Sequence, residues 1–281
     1  MTKNKIIRIS NHKLELGHLD KKLWPKSKIA KGDLIDYYQK ISNLILPYLN
    51  NRPVTVLRCP DGVSGECWIQ KEAPTNRPRF VKTHSILAKS TGKIVHYILI
   101  NNLETLLWLV NLGAIEFHIW LSKVGQKNPD WIIFDLDLAQ GNLSDLIILA
   151  FIIKKTMEKD GYQPHVKSTG KTGLHILIKN RQKLSYRKAR EYVHQIAENI
   201  AKKNPQLLTL ETRVKDRKAK CYLDPAQNAR GRHIIASFSV RATDYFSVSM
   251  PIEWGNLKNF KYQKLSIKEY LAKIFKIKDW L

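Results

Sequence analysis

Seven residues near the middle of the chain, Trp-Ile-Ile-Phe-Asp-Leu-Asp at 131–137, constrain the fold more than any other segment. The apolar run is typical of a buried strand, and successive side chains of a strand point to opposite faces. Asp135 and Asp137 are therefore expected on one face, with Leu136 on the other. Two carboxylates this close repel each other unless a cation neutralises them, and divalent cations prefer oxygen ligands. The segment predicts a metal-binding strand end, with a solvated strand end as the alternative.

A loop rich in glycine, lysine and hydroxyl groups follows the acidic pair. Residues 166–175 read Val-Lys-Ser-Thr-Gly-Lys-Thr-Gly-Leu-His and lie between two strand-like runs. Flexible glycines allow backbone N–H groups and lysines to surround phosphate oxygens. The loop lacks the full spacing of a P-loop, so it predicts a phosphate site of another kind, with a plain surface turn as the alternative.

A third carboxylate, Asp224, lies further along the chain in Leu-Asp-Pro-Ala-Gln-Asn at 223–228, and Arg241 follows it. The order of two acids on a strand, a phosphate loop ending in His175, a third acid and an arginine suits two-metal nucleotidyl transfer. Haloacid-type phosphatases also carry Asp-X-Asp after an apolar strand. They have Thr or Val where this chain has Ala139, so that class is disfavoured.

Basic residues outnumber acidic residues along the whole chain. Lysine and arginine number 48 against 24 aspartates and glutamates, which gives a formal net charge of +24. Such an excess repels itself in a compact fold, whereas contacts with phosphates convert it into affinity. The charge predicts a nucleic-acid partner, with an anionic membrane surface as the alternative.

No segment predicts secretion or a membrane span. The longest apolar run, Leu146–Ile153, is far shorter than the roughly 20 residues that cross a bilayer, and it reads as a buried helix. Met1 to Lys13 is polar and basic, unlike a signal peptide. We therefore expect a cytoplasmic protein without a membrane partner.

The chain has three cysteines, Cys59, Cys67 and Cys221. They do not have metal-ligand spacing, and three cysteines cannot all pair within one chain. We expect neither a disulfide nor a structural zinc site.

The periodicity predicts an α+β fold with mainly antiparallel sheets flanked by helices. Apolar spacing over Asp33–Leu49 predicts one amphipathic helix, whose end is blurred by Pro47. Asn142 and Ser185 are suited to cap two later helices. The remaining predicted elements are strands at Val54–Arg58, Cys67–Gln70, Phe80–Thr83, Val95–Ile100, Ile115–Leu121, Trp131–Leu136, His165–Ser168, Leu174–Ile178, Tyr222–Leu223, His233–Ser239 and Phe246–Ser249, helices at Leu103–Leu112 and Ile267–Phe275, and a charged loop or hairpin at Glu211–Lys220.

An ordered series of short motifs resembles the polymerase module of bacterial ligase D, a member of the archaeo-eukaryotic primase superfamily. The series covers roughly residues 14–260, and such an ordered set is more specific than any single motif. Its members are Asp20-Lys21, Trp24-Pro25, Lys31-Gly32-Asp33, Arg58-Cys59-Pro60-Asp61-Gly62-Val63, Glu116-Phe117-His118-Ile119-Trp120, Phe134-Asp135-Leu136-Asp137, Thr169-Gly170-Lys171-Thr172-Gly173-Leu174-His175, Leu223-Asp224-Pro225-Ala226-Gln227-Asn228, Ser239-Val240-Arg241-Ala242 and Pro251-Ile252-Glu253-Trp254.

The resemblance implies a role for each matched position. Two catalytic divalent ions, Mn²⁺ or Mg²⁺, would be held by Asp135, Asp137 and Asp224. The incoming triphosphate would be held by Thr169, Lys171, His175 and Arg241, with His118 near the nucleotide. A 5′-phosphate across a gap would be bound by Lys21 and Lys31, and Trp68 would stack near the template. Cys67 stands where the family has a second aromatic, and Leu138-Ala139 where it usually has Pro-Gly.

The resemblance also implies an activity and partners. The chain would be a stand-alone primase-polymerase, a single domain over residues 1–281 with lobes at about 1–113 and 114–281. It would add nucleotides, often ribonucleotides, at gapped or broken DNA ends held by a Ku-type end-binding protein and sealed by a separate DNA ligase. We expect it at the nucleoid. The alternatives are a noncatalytic protein that bridges DNA ends and a primase of a mobile element.

Overall fold

The computed structural model describes residues 4–88 and 91–277, which form seven α-helices, two short 3-10 helices and eighteen mostly short strands. The helices are α1 (Lys31–Lys40), α2 (Ser42–Leu49), α3 (Leu103–Asn111), α4 (Leu143–Lys159), α5 (Tyr186–Lys203), α6 (Trp254–Leu257) and α7 (Ile267–Ile274), with 3-10 turns at Val214–Asp216 and Pro225–Asn228. The strands are β1 (Lys5–Ile9), β2 (His12–Leu16), β3 (Lys22–Trp24), β4 (Ile29–Ala30), β5 (Val54–Arg58), β6 (Trp68–Gln70), β7 (Lys82–Ala88), β8 (Lys93–Leu99), β9 (Ala114–Trp120), β10 (Trp131–Asp137), β11 (His165–Ser168), β12 (Gly173–Lys179), β13 (Leu208–Thr209), β14 (Cys221–Leu223), β15 (His233–Ile235), β16 (Val240–Arg241), β17 (Ser247–Val248) and β18 (Pro251–Ile252).

The chain divides into two compact units that are discontinuous in sequence. Of the described residues, the first contains 4–88, 91–120, 235–248 and 264–276, and the second contains 121–234, 249–263 and 277. The predicted lobes at about 1–113 and 114–281 are continuous in sequence, and that division stays a prediction.

The first unit is built on an antiparallel sheet in which β9, β5, β8 and β7 are successive neighbours and β6 pairs with β5. Helix α1 buries two tyrosines completely. The Tyr37 hydroxyl donates to the Phe238 carbonyl at 2.8 Å and the Tyr38 hydroxyl to the Ile115 carbonyl at 2.7 Å. Buried hydroxyls need such partners, so these bonds fix the helix against distant segments of the same unit.

The single helix predicted over Asp33–Leu49 is wrong in one respect, because the structure has two helices separated at Ile41. Ile41 leaves the helical conformation with φ −96° and ψ 7°. The Ser42 hydroxyl donates to the Gln39 carbonyl at 2.9 Å, which gives the backbone an alternative to the helical bond. Pro47 lies inside the second helix and not at its end.

The second unit is a six-stranded sheet in the order β13-β14-β10-β12-β11-β18, antiparallel except for the β13–β14 pair. Ile132, Phe134 and Leu136 of β10 are fully buried in one hydrophobic cluster with side chains of α4 and α5. The Asn142 side chain caps α4 by accepting from the Asp145 N–H at 2.9 Å, and Ser185 caps α5 in the same way. Because one face of β10 packs against these helices, Asp135 and Asp137 lie on the other face.

These features confirm the predicted α+β class with mainly antiparallel sheets. The predicted caps at Asn142 and Ser185 are confirmed, as are the bounds Val54–Arg58 and His165–Ser168. In the described part of the chain no helix has the length and apolar character needed to cross a membrane.

The expectation of no disulfide is wrong, because Cys59 and Cys67 are bonded to each other. The turn after Cys59 brings the chain back on itself, with the Gly62 N–H donating to the Cys59 carbonyl at 3.0 Å. Gly62 has φ +83°, and a Cβ there would lie 2.8 Å from the Leu23 carbonyl oxygen, so only glycine fits this turn. Cys221 is a buried free thiol.

Candidate active site

The three predicted acids lie at one end of the second unit's sheet. Strand β14 pairs with the end of β10, with Asp137 opposite Tyr222. The Asp224 N–H then donates to the Asp135 carbonyl at 3.0 Å. The backbones of Asp135 and Asp224 are therefore joined directly, and each of the three acids is partly exposed to solvent.

The segment after Asp224 fixes that carboxylate. Its Oδ1 accepts from the Ala226 N–H at 2.9 Å and caps the 3-10 turn Pro225–Asn228. Asn228 is fully buried and bonds the backbone of Ile133, accepting from its N–H at 2.9 Å and donating to its carbonyl at 2.7 Å. Asn228 thus ties the Asp224 segment to the strand that carries Asp135.

A tyrosine lies beside this carboxylate. Burial, and then the Asp224 carboxylate, raises the pKa of Tyr222 to about 12. The phenol therefore stays protonated and can donate to Asp224.

Strand β12 supplies the neighbours of the acidic pair. His175 is opposite Asp135 in the ladder, and His175 Nε2 lies 3.2 Å from Asp135 Oδ1. Gly173 is opposite Asp137, and a Cβ at this position would lie 2.8 Å from Asp137 Oδ1. The Leu136 carbonyl oxygen would lie 2.9 Å from the same Cβ, so the backbone of β10 and the Asp137 carboxylate together favour glycine at this position.

The chemistry of the donors suits a hard divalent cation, because all three acids offer carboxylate oxygens. Within residues 4–88 and 91–277, no group of three or more His, Cys, Asp or Glu side chains is placed to hold a metal ion. The structure thus brings the three acids to one sheet end, and their metal role stays a prediction.

The predicted phosphate loop is a tight connection between β11 and β12. The Thr169 N–H donates to the Gly173 carbonyl at 2.9 Å, and Thr169 Oγ1 accepts from the Gly173 N–H at 3.1 Å. Gly170 has φ +76°, and Lys171 at the tip is exposed. The loop therefore holds its shape through its own bonds and presents a lysine to solvent.

Lys167, which the sequence grouped with Lys171 as a lysine of the phosphate loop, is only 1% exposed. It is opposite His175 in the β11–β12 ladder, and its Nζ donates to Ser249 Oγ at 2.7 Å. A buried ammonium requires polar partners. Lys167 lies two residues before Thr169, and residues two apart in a strand point to the same face. The sequence could therefore have placed the Lys167 side chain on the same face as that of Thr169.

Two predicted nucleotide-binding residues belong to the first unit, where Glu116 joins them. Glu116 is 2% exposed. One of its oxygens lies 3.2 Å from Arg241 Nε and also accepts from the Ala242 N–H at 2.9 Å. The other lies 2.8 Å from His118 Nε2. Sequence reasoning assigned no role to Glu116, because its partner Arg241 is 125 residues away.

Lys21 and Lys31 are adjacent in the first unit. The Lys31 N–H donates to the Lys21 carbonyl at 2.8 Å. Lys31 is 8% exposed, and desolvation, followed by the charge of Lys21, lowers the pKa of its ammonium to about 8. Lys21 forms an ion pair with Asp61. The structure thus brings the two lysines together, and their binding of a 5′-phosphate stays a prediction.

Trp68 begins β6 and is opposite Arg58 of β5. The Arg58 guanidinium carbon lies 5.2 Å from the centroid of the Trp68 indole ring, and Trp68 is 40% exposed. The disulfide joins Cys59, which follows β5, to Cys67, which precedes β6. Trp68 is therefore anchored between a cation and a covalent bridge while part of it faces solvent.

Comparison with known proteins assigns the chain to a family. The family model described as LigD, primase-polymerase domain, matches residues 30–281. The chain belongs to this family. The bifunctional non-homologous end joining protein LigD of Bacillus subtilis (strain 168) is 32% identical over 249 residues, which cover 88% of this chain and 40% of that protein.

Other LigD proteins and a solved structure agree with this assignment. The multifunctional non-homologous end joining protein LigD of Mycolicibacterium smegmatis is 28% identical over 96% of this chain and 36% of its own length. The chain thus spans less than half of these LigD relatives. The polymerase domain of Mycobacterium tuberculosis ligase D, solved in complex with DNA, has a TM-score of 0.87 at 24% identity and covers 94% of each chain. That likeness confirms the primase-polymerase fold.

Proposed function

We propose that this LigD-type primase-polymerase is a nucleotidyltransferase that extends 3′ ends at gaps and double-strand breaks in DNA. The observation that carries the proposal is the shared end of β10 and β14, where Asp135, Asp137 and Asp224 lie beside His175. The net charge of +24 supports a polyanionic substrate. The relatives' role in non-homologous end joining supports broken DNA ends as that substrate.

The three acids would hold two divalent ions, Mn²⁺ or Mg²⁺, which when bound would acidify the primer 3′-hydroxyl and neutralise charge on the phosphates. Asp224 is suited to this because backbone bonds hold it beside Asp135 before any ligand arrives. In the transfer, the 3′-oxygen forms a bond to the α-phosphorus of a nucleoside triphosphate as the bond to pyrophosphate breaks. The acids position charge and form no covalent intermediate.

The residues of the loop and of β12 would bind the triphosphate. Lys171 offers an ammonium at the loop tip, and Thr169 keeps the loop closed through its bonds with Gly173. His175 would donate to a phosphate oxygen near Asp135. From the resemblance we assign triphosphate binding to Arg241 also and a place near the nucleotide to His118, and Glu116 would orient both side chains.

The finer assignments concern the DNA. Lys21 and Lys31 would bind a 5′-phosphate, since a terminal phosphate carries more negative charge than an internal phosphodiester. The exposed part of Trp68 would stack on a template base, a contact worth roughly 1–3 kcal/mol. We further propose a preference for ribonucleotides, location at the nucleoid, and cooperation with a Ku-type end-binding protein and a separate ligase.

Primer extension on gapped DNA tests the proposal, with Mn²⁺ or Mg²⁺ and with ribonucleotides or deoxyribonucleotides. Asp135→Asn and Asp224→Asn remove a charge but keep an oxygen, so the Asn at 224 can still cap the turn at Ala226. We expect extension to fall about a hundredfold or more, the scale of removing one transition-state interaction. DNA affinity should stay close to wild type, because lysine–phosphate contacts dominate it.

Metal binding is measured directly by titrating Mn²⁺ and following its electron paramagnetic resonance signal. The wild type should bind Mn²⁺ more tightly than either variant, whatever the activity. Wild-type protein that bridges DNA ends but adds no nucleotide would refute the proposal and identify a noncatalytic end-bridging protein. Strand synthesis without a primer would identify a primase instead.

A further inference from the structure

A basic groove lies at the end of the second unit's sheet opposite the acids. Strands β10 and β12 pair Asp137 with Gly173 at one end and Trp131 with Lys179 at the other. At this far end a cavity of about 590 Å³ opens between residues 126–131 and 179–183. We name this cavity the far-end groove. Its lining includes four cations, Lys127, Lys179, Arg181 and Lys183.

We propose that the far-end groove is a second DNA-binding site that takes the phosphate backbone of a duplex away from the reacting end. That its polyanion is DNA rests on the proposed function, whereas its preference for a polyanion follows from its own charge. The lining holds one carboxylate, Asp130, against the four cations. A concave surface of one charge sign focuses its field on an oppositely charged ligand.

The groove is pre-organised by one buried amide. Asn180 is 8% exposed, and its Nδ2 donates to the carbonyls of Pro129 at 2.7 Å and Leu184 at 2.8 Å. Its Oδ1 accepts from the Leu184 N–H at 2.9 Å. A second bond, from Asn128 Nδ2 to the Lys183 carbonyl at 2.8 Å, joins the same two loops. The cations are thus held on a fixed backbone, which lowers the entropic cost of binding.

An aromatic side chain forms part of the groove wall. Lys179 Nζ lies 5.6 Å from the centroid of the Trp131 ring, and the ring of His165 meets that indole at 84° with centroids 5.9 Å apart. A cation–π contact holds the ammonium over the ring without neutralising it. The contact therefore places the Lys179 ammonium at the wall of the groove.

The groove is too far from the acids to be part of the nucleotide site. Trp131 and Asp137 are six residues apart on one strand, which corresponds to about 20 Å at roughly 3.3 Å per residue. That distance corresponds to about six base pairs of duplex, at roughly 3.4 Å per pair. DNA at this site would contribute affinity and not chemistry, so its signature is the salt dependence of binding.

The test compares two variants with the same change in net charge. The groove variant is K127Q/K179Q/R181Q/K183Q. The control variant, K155Q/K188Q/K202Q/K203Q, changes four exposed lysines of α4 and α5. DNA affinity is measured against salt on a gapped duplex of about 30 base pairs. Removal of one cation–phosphate pair lowers the slope of log affinity against log salt by about 0.9, so the slope should fall by about 2–4 in the groove variant and by less than about 1 in the control.

A footprint locates the contact independently of any variant. Lysine acetylation of the wild type, followed by mass spectrometry, should show DNA protecting Lys127, Lys179 and Lys183 more than Lys155 or Lys188. Equal slopes for the two variants, or no protection at the groove, would overturn the proposal. A groove variant that keeps the DNA slope but loses binding of poly-glutamate would also overturn it, in favour of an acidic polypeptide.

Extension by the wild type separates this proposal from the proposed function. If the wild type extends primers and the two variants have equal slopes, the groove proposal fails alone. If the wild type does not extend primers but the slope falls only in the groove variant, the groove stands and the polymerase assignment fails.

Discussion

Selection of a 5′-phosphate by Lys31 should disappear as the pH rises through about 8. Desolvation lowers the pKa of this ammonium to about 8 from its ordinary 10.5, so its charge is present below that pH and is lost above it. The terminal phosphate titrates with a second pKa of about 6 and stays dianionic over this range. The change in selectivity therefore reports the lysine.

The magnitude follows from the titration. With a pKa of about 8, the protonated fraction falls from about nine-tenths one unit below to about one-tenth one unit above. If only the charged form contacts the phosphate, the ratio of affinities for phosphorylated and hydroxyl-ended gaps falls up to about ninefold. A bound phosphate favours the charged form of the Lys31 ammonium and so raises its pKa in the complex. The affinity ratio therefore begins to fall near the pKa of the free protein and reaches its lower value at a higher pH.

Fluorescence anisotropy on the two gaps, with and without the 5′-phosphate, measures this ratio at several pH values. The matched variant is Lys31→Arg, because a guanidinium stays charged over the whole range. Its ratio should be flat with pH, whereas that of the wild type falls. A wild-type ratio that does not change, or an arginine variant that falls in parallel, would refute the assignment of Lys31 as the titrating contact.

Three further predictions concern the described contacts. Glu116→Gln should weaken nucleoside triphosphate binding about tenfold or more, because it removes the buried charge between two nucleotide-binding candidates; unchanged affinity in a triphosphate titration would contradict it. Gly173→Ala should lower extension while DNA binding persists, since the added Cβ would lie 2.8 Å from Asp137 Oδ1; wild-type extension rates would argue against that crowding. The change of Cys59 and Cys67 to serine should lower the free energy of unfolding by about 2–3 kcal/mol, because it opens a short closed loop. Urea unfolding with the oxidised wild type as reference measures this, and equal midpoints would rule it out.

The sequence predicted those parts of the structure that depend on local patterns. The run into Asp135 and Asp137 predicts a strand with both carboxylates on one face, because side-chain alternation is a property of the strand alone. The caps at Asn142 and Ser185 are equally local, since each side chain bonds an N–H three residues ahead.

Other features depend on contacts between residues that are far apart in the sequence, and the spacing of apolar residues does not reveal such contacts. Glu116 contacts Arg241 across 125 residues of sequence, and Asn228 bonds Ile133 across 95. The disulfide requires the backbone turn at Gly62, whose conformation brings Cys59 and Cys67 to a Cα separation of 4.3 Å. The break at Ile41 has no glycine or proline to announce it. At these residues, tertiary contacts determined the structure, and local sequence patterns were not sufficient to predict it.

The link between Asn228 and Ile133 affects how the candidate active site tolerates change. Asp135 and Asp224 are held together by backbone hydrogen bonds and by one amide that grips a strand, and not by the charged loop Glu211–Lys220 that leads into β14. We therefore expect changes in the length or charge of that loop to leave the separation of the two acids unaltered. The spacing of these two acids is thus a property of the sheet and not of the loop that precedes β14.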